Sequence, residues 1–326
     1  MRLMKLVPDN TNIDFLRWKL FAVVTSLLLV GASIFCLATR GLNLGVDFAG
    51  GQMVQVTFAQ PPQLDELRTR IGALGVGDPT IQEFGSPTTI SIRVPRAQDE
   101  TVEQANAIAA SIRASIAQNY PGSRIDSVET VTGKISEEFA WDGALSVLLA
   151  MLGVAAYIWI RFEWQFGLGG LVSLTHDFII VMGFYSLTQI DFSLNAVAAL
   201  LTLIGYSLND TVVVYDRIRE NLRKYRKMAI EPLLNLSVNE TLSRTINTNG
   251  AVLVAITALL LLGPDVIYDL TIGIFVGVII GTYSSIYVAR FLLVPLGVGP
   301  DSFVPKDPIS RAARGPRNET DDGARV

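Results

Sequence analysis

Three polar groups interrupt stretches of this chain that are otherwise apolar. His176-Asp177 lies within the run 167–187, Asn209-Asp210 within 194–215, and Arg244 stands just ahead of 246–262. An ionisable side chain at membrane depth costs from about 2.5 to well over 10 kcal/mol, so such residues mark function or a tight pair. At 1.5 Å per residue, Asp177 sits roughly 15 Å from Gly167, close to the bilayer centre. Asp210 sits about 9 Å inside the boundary marked by Asp216-Arg217. Asn195, Thr202, Tyr206 and Asn209 recur at helical spacing and form a polar stripe with Asp210 at its edge. Thr241, Arg244 and Thr248 share another face, continued by Ala251 and Ala255. The spacing predicts that Asp210 and Arg244 reach one level. Burial and a neighbouring cation pull a carboxyl group's pKa in opposite directions. The chemistry expected is therefore a proton-linked carboxylate beside a fixed cation, with Asn209 and Thr248 as polar neighbours. His176 and Asp177 form an additional intramembrane polar site. The plainer readings are a static ion pair, an Arg244 that snorkels to the interface, and a His176 that only hydrogen-bonds within the bundle.

The elements that must position these residues are membrane helices. Half of the 326 residues are apolar, 17% are charged, and mean hydropathy is +0.41. Soluble chains carry about 25% charge. A single soluble core, a disordered chain and a nucleic-acid-binding protein are all excluded on that ground. One cysteine, Cys36, precludes an internal disulfide, and one histidine precludes a His-rich metal site. No Walker-type glycine loop is present, so neither direct use of ATP nor a cofactor is expected. Six apolar stretches meet the length of about 20 residues that a spanning helix needs. They are Leu20–Ala38, Gly143–Ile160, Gly167–Leu187, Leu194–Tyr215, Ile246–Leu262 and Val266–Pro295. Lys and Arg concentrate at the N-terminus, at Arg161, in the segment Arg217–Lys227 and in the tail, while Thr188–Ser193 and Gly263–Asp265 carry none. The positive-inside rule then places both termini in the cytoplasm of a multi-pass inner-membrane protein. Cys36 follows Phe35 rather than a small residue, so it reads as a small apolar side chain and not as a lipoprotein site.

The expected organisation is a cytoplasmic N-terminus (1–19), a first span (20–38), an extracytoplasmic domain (39–142), a five-helix region (143–295) with a cytoplasmic loop at 216–245, and a disordered cytoplasmic tail (296–326). Residues 231–240 read as an interfacial helix. Within the extracytoplasmic domain, Gln52–Phe58, Thr80–Phe84, Thr89–Val94 and Arg124–Val131 read as strands, while Pro62–Leu74 and Thr101–Tyr120 read as helices. The order β-α-β-β-α-β is that of a ferredoxin-like unit. The fold class is thus an α-helical polytopic membrane protein of six transmembrane helices with one α+β ferredoxin-like extracytoplasmic domain. That domain has neither a nucleophile-with-base pair nor a metal cluster, so a binding or leverage role is expected rather than an enzyme. Gly273, Gly277 and Gly281 recur every fourth residue in the last span, which permits close helix approach, internal or to a partner.

Several motifs together resemble the SecD/SecF family of protein-export membrane proteins, specifically its SecF branch, within the RND transporter superfamily. They are Gly45-Val46-Asp47-Phe48-Ala49-Gly50-Gly51, His176-Asp177, Gly205 to Thr211 with Asp216-Arg217-Ile218-Arg219-Glu220-Asn221, Thr241 to Thr245, and Gly281 to Ala289. The match runs from about Phe15 to Gly297. The resemblance implies a SecD partner, the SecYEG translocon, YajC, an unfolded polypeptide substrate and membrane lipid, with no nucleic acid. It implies outward movement of polypeptide driven by the proton-motive force, with Asp210 as the proton-relay carboxylate and Arg244 as the essential arginine. One departure is visible. Where the family continues with a run of hydroxyls, this chain has Thr248-Asn249-Gly250-Ala251-Val252. Two other functions compete: a small-molecule RND efflux half-unit, and a non-transporting scaffold of the translocon.

Overall fold

The computed structural model describes residues 11–77, 79–95 and 102–299. The tail expected to be disordered lies outside the described residues. In chain order the elements are α1 (Lys19–Arg40), a short α2 (Val46–Ala49), β1 (Gly51–Thr57), α3 (Leu64–Gly72), β2 (Thr80–Phe84), β3 (Ser86–Val94), α4 (Val102–Asn119), β4 (Arg124–Val131), α5 (Gly133–Arg161), α6 (Trp164–Thr188), α7 (Leu194–Lys224), α8 (Ile230–Leu262), α9 (Tyr268–Ile286) and a short α10 (Val288–Phe291). Six helices, counting α9 with α10 as one, are long and apolar enough to cross a membrane.

Successive side chains of a strand point to opposite faces, and β1 and β3 are covered on both: Val54, Val56, Ile90 and Ile92 are buried on one face, Gln55, Thr89 and Ser91 on the other. They form one antiparallel sheet in the order β2-β3-β1-β4, the ferredoxin-like order. Val54 pairs with Ile92 and Val56 with Ile90. This face packs against Leu67 and Ile71 of α3 and Ile112 and Ile116 of α4, all fully or nearly fully buried. Burying each such aliphatic side chain contributes about 1.5–3 kcal/mol. Gly50 and Gly51 both take positive φ, 72° and 110°. That left-handed pair turns the chain from α2 into β1, a bend most other residues resist.

Several helix bounds differ from the sequence expectation. α5 begins at Gly133, so the α+β domain ends near Thr132 rather than at 142. The segment 133–142 continues the helix beyond the apolar stretch, with Ile135 and Trp141 exposed. The cytoplasmic loop expected at 216–245 is not a loop. α7 runs on to Lys224 and α8 starts at Ile230, so the expected interfacial helix 231–240 is the first part of α8. Apolar runs locate the bilayer, whereas helices extend past it wherever side chains tie the extensions together. α9 starts at Tyr268, after a 3-10 turn at Asp265–Ile267.

α7 and α9 form the most extensive helix pairing. The glycine stripe makes that contact internal. A Cβ at Gly273 would lie 3.0 Å from Ala199 Cβ of α7 and 2.1 Å from Tyr185 Oη of α6, and one at Gly277 would lie 2.9 Å from Leu203 Cδ1 of α7. Gly183 of α6 performs the same service for α1, since a Cβ there would lie 2.2 Å from Ser33 Cβ and 2.6 Å from Ser33 Cα. The obstacle is backbone and cannot swing aside. Gly183→Val is therefore expected to cost about 1–3 kcal/mol or more by overpacking. The purified variant should melt at lower temperature and lose protease resistance around α1, and an unchanged melting profile would contradict the close approach.

Candidate functional site

The site is assembled by the basic ends of α5 and α7 and by the first part of α8, which supplies Glu240 and Ser237. Arg161 donates to Asp216 at 3.0 Å. Arg217 donates to Glu240 at 2.7 Å and Glu220 at 2.6 Å. Asn221, fully buried, donates to Glu240 Oε2 at 2.7 Å and Ser237 Oγ at 3.0 Å. The Asp-Arg-Ile-Arg-Glu-Asn block is thus the clamp that sets the register of α7 against α8. It was read from sequence only as a recognisable motif, yet its charge pattern encodes this clamp.

Deeper in the bundle, that register brings Asp210 of α7 to Asn249 of α8. Asp210 is 5% exposed, and its Oδ2 accepts a hydrogen bond from Asn249 Nδ2 at 2.6 Å. The same amide donates to Thr282 Oγ1 of α9 at 2.5 Å, and its Oδ1 accepts from Tyr206 Oη at 2.7 Å. The Thr282 hydroxyl in turn donates a hydrogen bond to Val278 O at 2.6 Å. One side chain, Asn249, ties three helices to the buried carboxylate. This is the position where the sequence departs from the family's hydroxyl run. An amide supplies two donors and an acceptor where a hydroxyl supplies one donor.

Asp210 and Arg244, expected to pair, form no direct ion pair, although Arg244 lies close enough to act on the carboxylate electrostatically. Arg244 is exposed and makes no ion pair among the described residues. Arg244 and Asn249 are five residues apart on one helix, about 140° around its axis. When Asn249 faces α7 and α9, Arg244 must face outward. Thr248 bonds back to Arg244 O at 2.8 Å, and Asn209 is exposed. Of the four residues expected in the relay, only Asp210 enters the buried network. Tyr206, Asn249 and Thr282 join it instead. Tyr206 was visible as part of the polar stripe; Thr282 carried no signal of its own.

His176 and Asp177 are brought together, with Nδ1 and Oδ1 2.9 Å apart, and both are buried. They sit in the neighbouring seam between α6, α7 and α9. No group of three or more His, Cys, Asp or Glu suited to a metal ion occurs among the described residues.

A second polar cluster joins the α+β domain to the helices. Asp191, in the α6–α7 connection and 6% exposed, receives Asn43 Nδ2 and Gln82 Nε2, each at 2.8 Å, and Arg93 Nη2 at 2.6 Å. Arg93 Nη1 also donates to Leu44 O at 2.9 Å and Asn43 Oδ1 at 3.0 Å. Asp47, from the glycine-rich motif, accepts from Leu194 N at 2.8 Å. Beside them a cavity of about 340 Å³ is lined by Asp47, Glu129, Asp191 and Asp269. Burial pushes the Glu129 carboxyl above its usual range, and the charges of Asp47, Asp269 and Asp191 add to the shift.

The comparisons with known proteins agree with this architecture. Residues 111–298 match the family model for protein export membrane protein SecD/SecF, C-terminal, and residues 37–62 match that for the SecD/SecF GG motif. The protein translocase subunit SecF of Desulfurispirillum indicum is 44% identical over 287 residues, covering 86% of this chain and 91% of that one. The subunit of the same name from Rickettsia felis is 41% identical, covering 89% and 94%. The crystal structure of SecDF from Thermus thermophilus, described as a translocon-associated membrane protein, superposes with TM-score 0.81 at 32% identity. That match covers 89% of this chain and 39% of the longer SecDF chain. With a family model across more than half its length and relatives above 40% identity over most of theirs, the chain belongs to the SecF branch of the SecD/SecF family of protein-export membrane proteins.

Proposed function

We propose that this SecF-type subunit couples the proton-motive force to outward movement of an unfolded polypeptide, with no cofactor of its own. The observation that carries the reading is Asp210: a buried carboxylate at membrane depth, held by an amide rather than by a cation. Intramembrane carboxylates of this kind mark proton relays. Each charge crossing the membrane supplies about 2.3 kcal/mol per 100 mV, enough to drive a conformational cycle without nucleotide. Proton binding would change how Asp210 holds Asn249, and Asn249 holds three helices.

Orientation follows from charge. The reading that this end and both termini are cytoplasmic and the α+β domain outside is supported by the cluster of Arg161, Arg217, Arg219, Arg223 and Lys224 at one end of the helices. The outward faces of α7 and α8 carry Thr202 and Asn209, and Arg244 and Asn247, all exposed. A guanidinium turned to lipid is costly, so a SecD-type partner with its own polar membrane face is its expected cover. SecYEG, YajC and the moving polypeptide are the further partners of this reading.

The test uses vesicles containing the translocon with the assembled SecD and SecF subunits. Dissipating the gradient with an uncoupler after ATP-driven initiation should remove the stimulation that the pair provides. Stimulation that persists without a gradient would leave the scaffold reading in its place.

A further inference from the structure

Asp177 is fully buried and binds two neighbouring helices as well as the residue beside it on α6. Its Oδ2 accepts from Ser207 Oγ of α7 and from Ser284 Oγ of α9, each at 2.6 Å. Ser284 Oγ also lies 3.2 Å from Gly281 O, the weaker of its two contacts. Its Oδ1 lies 2.9 Å from His176 Nδ1. A carboxylate that receives two hydroxyls is an acceptor only, so the proton in the third contact belongs to Nδ1. The ring tautomer follows: Nε2 carries a lone pair unless a second proton joins it.

Nε2 has no partner, although His176 is only 7% exposed. The ring lines a cavity of about 480 Å³ between α1, α6 and the α9–α10 junction. Leu27, Val30, Leu171, Ile179 and Phe291 are among its walls, and no Lys, Arg, Asp or Glu is. Thr175 of α6 lines the same cavity, and the charged group nearest its walls is the fully buried Arg290 of α10, whose guanidinium lies over the Tyr287 and Phe291 rings at 5.9 and 5.0 Å from their centroids. Ser26 of α1 and Tyr283 of α9 are bonded to each other at 2.9 Å, and the Tyr283 ring centroid lies 6.3 Å from the imidazole. Tyr287 lines the cavity beside them. A buried nitrogen left without a partner is costly, so the arrangement needs a reason. A carboxylate behind the ring is the counter-ion that an imidazolium requires away from water.

We infer that His176 is a second proton-binding site, which takes up and releases a proton at Nε2 through this cavity while Asp177 stays ionised. Uptake turns the neutral imidazole into imidazolium. The Nδ1–H contact with Asp177 is kept, and the charge of the pair goes from −1 to zero. Ser207 lies one turn before Asp210 on α7, and Ser284 lies near Thr282 on α9. The change is therefore felt by the two helices that flank Asp210. The functional consequence rests on the proton-driven reading above; the protonation itself does not.

His176 is the chain's one histidine, so 15N-histidine labelling reports it alone. The labelled full chain, assembled with an unlabelled SecD-type partner and purified without a polyhistidine tag, is placed in vesicles for solid-state NMR. The expected spectrum at about pH 8 is a single Nδ1–H tautomer, converting to the doubly protonated ring by about pH 5. Asp177→Asn should mix the tautomers and move that conversion by about one pH unit or more. Val172→Trp changes a cavity-wall residue that faces outward, outside the buried network. It should slow proton exchange at Nε2 even if Asp177→Asn fails to fold. A ring that stays neutral at both ends of the range, or exchange indifferent to Val172→Trp, would overturn the inference. A silent His176 in an assembly whose export depends on the gradient sinks this inference alone. A titrating His176 in an assembly that ignores the gradient sustains it and sinks the proton-driven reading.

Discussion

Asp210→Asn is expected to abolish the gradient-dependent part of export while leaving the SecD-type partner bound. The substitution keeps the shape of the side chain and its ability to bond Asn249 through the amide oxygen, so the three-helix junction has no reason to open. What it removes is the capacity to exchange a proton. Loss of one coupled charge forfeits about 2.3 kcal/mol per 100 mV, a factor of tens in rate at working potentials. Export into vesicles with and without uncoupler, alongside co-purification of the partner, reads both halves of the prediction. Asn249→Ala is the companion variant. It takes away the one hydrogen bond drawn to Asp210 from α8, together with the links to Tyr206 and Thr282. It should lower both the melting temperature and coupling. Undiminished gradient-driven export by Asp210→Asn would refute the role given to this carboxylate.

Asp191→Ala is expected to release the α+β domain from the helices without unfolding either. Asp191 receives three side chains from the α+β domain and its approach, and Arg93 is left with no carboxylate partner when it goes. Breaking one partner of a buried pair costs about 3–5 kcal/mol, because the surviving charge stays buried. The sheet has its own core of Val54, Val56, Ile90 and Ile92, and the helices have theirs, so the loss falls on the junction. Hydrogen exchange should rise at Asn43, Leu44 and the α6–α7 connection and stay unchanged within β1 and β3. If polypeptide held by this domain is pulled by movements of the helices, export should fall with it. Exchange unchanged at the junction would show that Asp191 is not the fastener.

The six spans and the α+β domain were legible in the sequence because their signals are local. A run of about 20 apolar residues is long enough to cross lipid whatever it packs against. The alternation in Gln52–Phe58 and the helical spacing of Leu64, Leu67 and Ile71 specify strand and helix from within each segment. Asp210 was legible for the same reason, since a carboxylate inside an apolar run is costly wherever the run goes. Its partner was not. Arg244 and Asn249 lie on one helix, and which of them meets Asp210 depends on the rotation of α8, set by the distant ties of Arg217 to Glu240 and Asn221 to Ser237. Asp191 looked like one polar residue in a short connection; only the docking of β2 and β3 gave it Gln82 and Arg93. Composition and period determined what the pieces are. The crossing of helices, fixed by contacts far apart in the chain, decided which side chains touch.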